Sequence, residues 1–242
     1  ICHCLVGSEM CIRDSASVSL PGLSYAVETP ADFVAQNVRN INGAYEFDLK
    51  TPTRILKNLR FYLPGKHNLS NAVVALAMAM ECGCNDSDLR LALATYLGVE
   101  RRFSYRIKNE SFVFIDDYAH HPKEIDAVWD AVSEMYPKKN ITVVFQPHLF
   151  TRTLDFADAF ASSLSKFDAV LLLDIYPARE EPIIGVTSDW LLKKIKNKKK
   201  KLVEKHMLTE IIKSINNPIL ITMGAGDIGA LIPSLTKNLM YA

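Results

Sequence analysis

The sequence has no apolar run near the roughly 18 residues that span a bilayer, so it offers no transmembrane helix and no membrane partner. Charge of one sign is equally scarce. Lys and Arg number 28 against 27 Asp and Glu, a net charge of +1, and without a global field nucleic acid is not expected as a partner. Cysteine is sparse and odd in number, five in all at positions 2, 4, 11, 82 and 84, which argues against a disulfide framework and for a reducing, cytoplasmic setting. There is no secretory n-region and h-region, and no G-x-x-x-x-G-K-[ST] run to cradle the phosphates of a nucleotide. What remains is an ordinary globular composition, 49% hydrophobic and 23% charged over 242 residues, enough for one large core or two smaller ones.

Residues 1–15, ICHCLVGSEMCIRDS, show no period and stop abruptly where SVSLPGLSYAV begins, so they read as foreign to the fold. Cys2, His3, Cys4 and Cys11 are soft ligands, but adjacent spacing strains a tetrahedral site and no metal is assigned. From 16 to 101 the chain reads as strand-rich and then helical. Strands are expected at Ser24–Val27, Tyr45–Leu49 and Leu59–Leu63, followed by a helix capped by Asn68 or Ser70 and ending near Gly83. That helix is Ala- and Met-rich, apolar nearly all round, and expected to be buried. A second helix is expected over Ser87–Leu97, and a domain boundary at the linker 98–103.

From 102 to 242 strand and helix alternate. Phe112–Asp116, Ile141–Gln146, Ala169–Tyr176 and Pro218–Met223 are nearly continuous apolar runs, as in a parallel sheet covered on both faces. Between them, Pro122–Tyr136 and Thr153–Lys166 keep the three-and-four apolar spacing of helices. The fold class is therefore α/β, a doubly wound, mostly parallel sheet preceded by a smaller α/β segment. In such sheets ligands gather beyond the carboxyl ends of strands. There the sequence places Asp116, Asp117, His120 and His121, then Gln146, His148 and Arg152, then Asp174 to Glu181, then a glycine loop. Asp117 as a plain helix cap is the structural alternative. Both Asp117 and Arg152 lie in polar loops, where substitution is expected to cost little stability.

Two stretches invite larger readings. Gly224 to Gly229 spells G-x-G-x-x-G, but only 13 residues follow it here, too few for the second β unit and ribose-binding acid of a dinucleotide fold. It is either an anion-tolerant helix start or a tight turn. Seven lysines between Lys193 and Lys201, with no interleaved aromatics, read as a solvated face.

Taken together, LPGKHNLSNAVVA, GVERRF, DDYAHHPKE, FQPHLFTRT and GAGDI, in this order and spacing from about Leu20 onward, resemble the closing part of the Mur ligases. The resemblance implies ATP-dependent amide ligases of peptidoglycan synthesis built from three domains. This chain would hold the tail of the central ATP-binding domain (16–101) and the whole C-terminal amino-acid-binding domain (102–242), and alone it would not ligate. ATP with Mg²⁺ is implied as cofactor, UDP-N-acetylmuramate and L-alanine as substrates, and an acyl phosphate as intermediate. Carried over by motif, Asn68 and Asn71 would face adenine, Arg102 the phosphates and Asp117 the ribose. His120, His121, His148 and Arg152 would line the amino-acid end, with His120, His121 and Arg152 catalytic. Leu149 stands where the family often has a second arginine, leaving carboxylate recognition to Arg152. A related ligase recycling a murein tripeptide, and a non-catalytic nucleotide or amino-acid binding module, remain open alternatives.

Overall fold

The computed structural model describes residues 22–41 and 44–240; the segment 1–15 and its cysteines lie outside them. The first unit is a four-stranded sheet in the order β1 (Tyr25–Val27), β2 (Phe33–Ile41), β3 (Ala44–Lys50), β4 (Ile55–Phe61), with only β1 and β2 parallel. Alternation drives it: Tyr45, Phe47 and Leu49 of β3 point into a core with Phe33, Leu56 and Leu59.

Helix α1 (Lys66–Glu81) covers that core and starts earlier than a cap at Asn68 or Ser70 would allow. Gly65, at φ 95°, is the N-cap, and Asn68 Nδ2 instead donates back to Pro64 O at 2.6 Å. The helix is not buried all round. It packs on one face of one sheet, so Leu69, Ala72, Val73, Leu76 and Ala77 are covered while Ala75 and Met78 stay exposed. Helix α2 (Asp86–Thr95) follows, its first turn capped by the Asn85 side chain.

The second unit is a six-stranded sheet. Its order is β5 (Ser104–Lys108), β6 (Val113–Asp117), β10 (Ile219–Met223), β7 (Ile141–Phe145), β8 (Ala169–Leu172), β9 (Lys200–Leu202), parallel except for edge strand β5. Every residue of β6, β7, β8 and β10 is buried. Alternate residues feed two cores: Ile115, Val143 and Ile221 meet α3 (Pro122–Met135), α5 (Ala157–Leu164) and α6 (Ser188–Lys194). Phe114, Val144 and Leu220 meet α7 (Leu208–Ile215) and α8 (Ile228–Met240) on the other face. The fold is α/β, with helices on both faces of a mostly parallel sheet.

Two edge strands were not legible in advance. β5 begins just past the linker expected over 98–103, in a stretch where the sequence pattern suggests no strand, and β9 is drawn from the lysine run. Lys200 Nζ donates to Leu192 O at 2.9 Å and Ile195 O at 2.5 Å, closing the end of α6, while lysines along a sheet edge discourage pairing with another chain. Because β10 inserts between β6 and β7, the loops after these three strands become neighbours, which creates the switch-point crevice where such sheets bind ligands.

Candidate functional site

Strand β6 ends in two buried carboxylates with different duties. Asp116 is fully buried, accepting from Arg101 Nε and Arg106 Nη2, each at 3.2 Å, and from Thr222 Oγ1 at 2.9 Å. It is a structural ion cluster. Asp117 accepts from the backbone N–H of Phe103 and of Ala119, each at 2.7 Å. Burial pushes its carboxyl above the usual range, opposed by those two N–H groups and by the charge of Arg102. Asp117 therefore ties the linker to the loop after β6 and does not cap α3.

The cap of α3 is His121. Its Nδ1 accepts from Lys123 N at 3.4 Å, and Glu124 Oε2 accepts from the N–H of His121 at 3.1 Å and of His120 at 2.8 Å, a capping box built on histidine. His120 Nδ1 lies 2.9 Å from Tyr118 O. A carbonyl only accepts, so the neutral ring carries its proton on Nδ1 and leaves Nε2 as the basic nitrogen.

Beyond β7 the chain turns sharply. Leu149 holds φ 72°, strained for a branched side chain, fixed by its N–H to Tyr176 O at 2.9 Å and by Thr153 Oγ1 donating to its carbonyl at 2.7 Å. This turn opens α4 (Phe150–Asp155), whose Thr151 is held by Glu180 through its N–H and hydroxyl. The turn aims His148 and Arg152. His148 stacks on Tyr176 at 5.7 Å and meets His120 edge-on at 6.1 Å, while His120 meets Tyr118 at 5.4 Å, so four rings cross the ends of β6, β7 and β8. His148 Nδ1 and Arg152 Nη1 are buried without a hydrogen-bond partner. Desolvation first, then the Arg152 charge, holds His148 below its ordinary value; His121 is lowered by desolvation, with Arg152 also contributing. Arg152 thus lies beside both.

The glycine loop resolves as a tight turn. A Cβ on Gly226 would stand 2.5 Å from Gln146 Oε1 and 2.7 Å from Tyr176, so side chains already fill the space. Ile228 N donates to Gln146 Oε1 at 2.9 Å, and the acid Asp227, bound by Gln146 and Lys205, precedes the helix, leaving no welcome for an anion.

Asn71 on the first unit and Arg102 in the linker are exposed, and the Arg102 charge acts on both His67 and Asp117, placing it between the start of α1 and the end of β6. Asn68 lies one residue beyond His67, its amide nitrogen committed to Pro64. Tyr118, Gln146, Tyr176 and Glu180 fall within the strand-end stretches expected from the sequence but carry no role of their own there, and neither Glu124 nor Arg101 is singled out. Only Glu124, three residues after His121, had a readable signal in its spacing. Among the described residues no cluster of three His, Cys, Asp or Glu is gathered to hold a metal, and no helix is long and apolar enough to cross a membrane.

Residues 101–231 match the family model described as Mur ligase, glutamate ligase domain. A UDP-N-acetylmuramate–L-alanine ligase of Christiangramia forsetii is 56% identical over 220 residues, 91% of this chain and 49% of that protein. Its counterpart in Cytophaga hutchinsonii is 41% identical over 227 residues, 94% of this chain and 48% of that protein. The chain therefore spans about half the length of the curated relatives it matches. Among solved structures, the UDP-N-acetylmuramate–alanine ligase of Thermotoga maritima superposes with a TM-score of 0.75 at 23% identity, over 90% of this chain and 48% of that one. A murein peptide ligase from Psychrobacter arcticus gives 0.62 at 19% identity, over 95% and 49%. At these identities the structural likeness is one of fold.

Proposed function

The chain belongs to the Mur ligase family, and from that membership we propose that it carries the acceptor-binding part of an ATP-dependent ligase joining L-alanine to UDP-N-acetylmuramate in peptidoglycan synthesis. Residues 102–242 are then the amino-acid-binding domain and 16–101 the end of the ATP-binding domain. The observation that carries the reading is the pair of buried, unpartnered nitrogens, Arg152 Nη1 and His148 Nδ1, beside neutral imidazoles at one strand edge.

A buried donor left open costs about 1–3 kcal/mol, and a substrate carboxylate removes that cost. Arg152 holds the α-carboxylate of alanine with charge-assisted bonds. His121 and His148, kept neutral by burial and by Arg152, tolerate the incoming ammonium, and Nε2 of His120 leaves a proton acceptor at the same edge. Positioning and charge stabilisation are the main tasks in acyl transfer of this kind.

Bound ATP with Mg²⁺ supplies the phosphoryl group that turns the substrate carboxylate into an acyl phosphate. The residues present fit the phosphate side in part. Arg102 is exposed and makes no ion pair among the described residues, and α1 starts with neither a side-chain cap nor an acid in its first turn. Asp117 supports Arg102 through the backbone of Phe103, and any ribose contact must use its remaining lone pairs.

In the full-length protein, Arg152→Ala should raise the KM for alanine roughly ten- to a hundredfold, the equivalent of about 1.5–3 kcal/mol. The KM for ATP should be unchanged and the melting temperature no lower. An effect on ATP with alanine unaffected would overturn this assignment.

A further inference from the structure

The third glycine of the G-x-G-x-x-G run has no task in the site described above, yet it is crowded by a single side chain: a Cβ on Gly229 would stand 2.6 Å from Arg101 Nη1 and 2.9 Å from its Cζ. Arg101 crosses from the linker into this gap. Its Nη2 donates to Gly224 O at 2.7 Å, its Nε pairs with the buried carboxylate of Asp116 at 3.2 Å, and its guanidinium lies 5.2 Å from the Tyr118 ring centre. The arginine is thus clamped from the glycine loop, from β6 and from the loop after β6.

The backbone it belongs to is unusual. Arg101 and Phe103 both adopt left-handed φ, 57° and 50°, a conformation that side-chain-bearing residues hold only when their surroundings impose it. Three bonds do so: Tyr118 N–H to Arg101 O at 2.7 Å, Arg102 N–H to Val99 O at 3.0 Å, and Phe103 N–H to Asp117 at 2.7 Å. Between the two left-handed residues sits Arg102, exposed, its charge felt by His67 and Asp117.

We propose that Arg101 is a positioning residue. Seated in the glycine loop and locked to Asp116, it fixes the kinked linker so that Arg102 is presented toward an anionic group at the crevice, and Gly229 is glycine to leave room for it. The role assigned to Arg102 rests on the ligase reading, in which that group is a nucleotide phosphate; the seating of Arg101 does not.

Two measurements separate these parts. First, thermal melting of the full-length protein is compared for Gly229→Ala, Arg101→Met and the double variant. Gly229→Ala alone should lower the melting temperature by several degrees because it expels Arg101, and it should add little once Arg101 is gone. Additive losses would overturn the seating, whatever the protein's activity. Second, kinetics are measured well below each variant's melting point. Arg101→Met should lower kcat/KM for ATP about tenfold with the KM for alanine unchanged, Arg101→Lys should restore part of it, and Arg102→Met should add little to Arg101→Met. Independent, multiplicative losses from Arg101 and Arg102, or equal loss toward both substrates, would show that Arg101 only stabilises the fold.

Discussion

Asp117 shows how one carboxylate can look like a ligand contact and act as a joint. Its two oxygens each take a backbone N–H, from Phe103 and from Ala119, across the junction of linker and β6. Asp117→Ala leaves both donors buried and open, so the loss should be about 2 kcal/mol or more in denaturant unfolding, against the small cost expected of a polar loop. A variant as stable as the parent would contradict this. His121 and His148 carry the pH dependence. Both are depressed below 6.5 in the folded protein, so they stay neutral at pH 7, and their contribution to stability is present above the unfolded value and lost as pH falls through the folded one. The acid limb of kcat/KM for alanine should accordingly lie below pH 6.5, and a limb at or above it would show that these imidazoles are not the groups observed. The residue types of this edge were legible in the sequence, because carboxylates, imidazoles and a guanidinium follow apolar runs. Their division of labour was not, since Asp116, facing Arg101 and Arg106, and Asp117, facing the linker, are adjacent and alike on paper.

At the scale of elements, the capping box of α3 sets the loop that carries both histidines. Glu124 binds the N–H groups of His120 and His121, so Glu124→Ala should cost about 1 kcal/mol and loosen that loop. Hydrogen exchange at those two amides should quicken; unchanged exchange would mean that the loop is held by other contacts. The four central strands were legible because burial on both faces makes them uninterrupted apolar runs. Edge strands obey weaker rules: β5 mixes Tyr105, Arg106 and Ile107, and β9 is largely lysine, so neither declares itself until a neighbouring strand supplies hydrogen bonds. Helix α1 misled for the converse reason. An Ala- and Met-rich surface reads as buried, although alanine and methionine tolerate exposure.

Across the whole molecule, the linker ties the two units together where it crosses the end of β6, and a side-chain relay also joins them: Gly65 N–H donates to Tyr45 Oη, which donates to Glu134 Oε2, both at 3.2 Å. Burial and the nearby Glu134 charge push the Tyr45 phenol up to about 12, so this link persists through the physiological range. The junction brings Arg102 of the linker to the same strand edge as His148 and Arg152, which is what a ligase coupling a nucleotide to an amino acid requires. The family was legible from five motifs, whereas the partnership of linker and glycine loop was not, because Arg101 and Gly229 lie far apart in the chain and meet only once β10 has inserted beside β6. The most direct measurement of the central claim is phosphate release by the full-length protein supplied with ATP, Mg²⁺ and UDP-N-acetylmuramate, with either L-alanine or the murein tripeptide as acceptor. Release that depends on L-alanine is predicted; release with the tripeptide alone, or with neither acceptor, would contradict it.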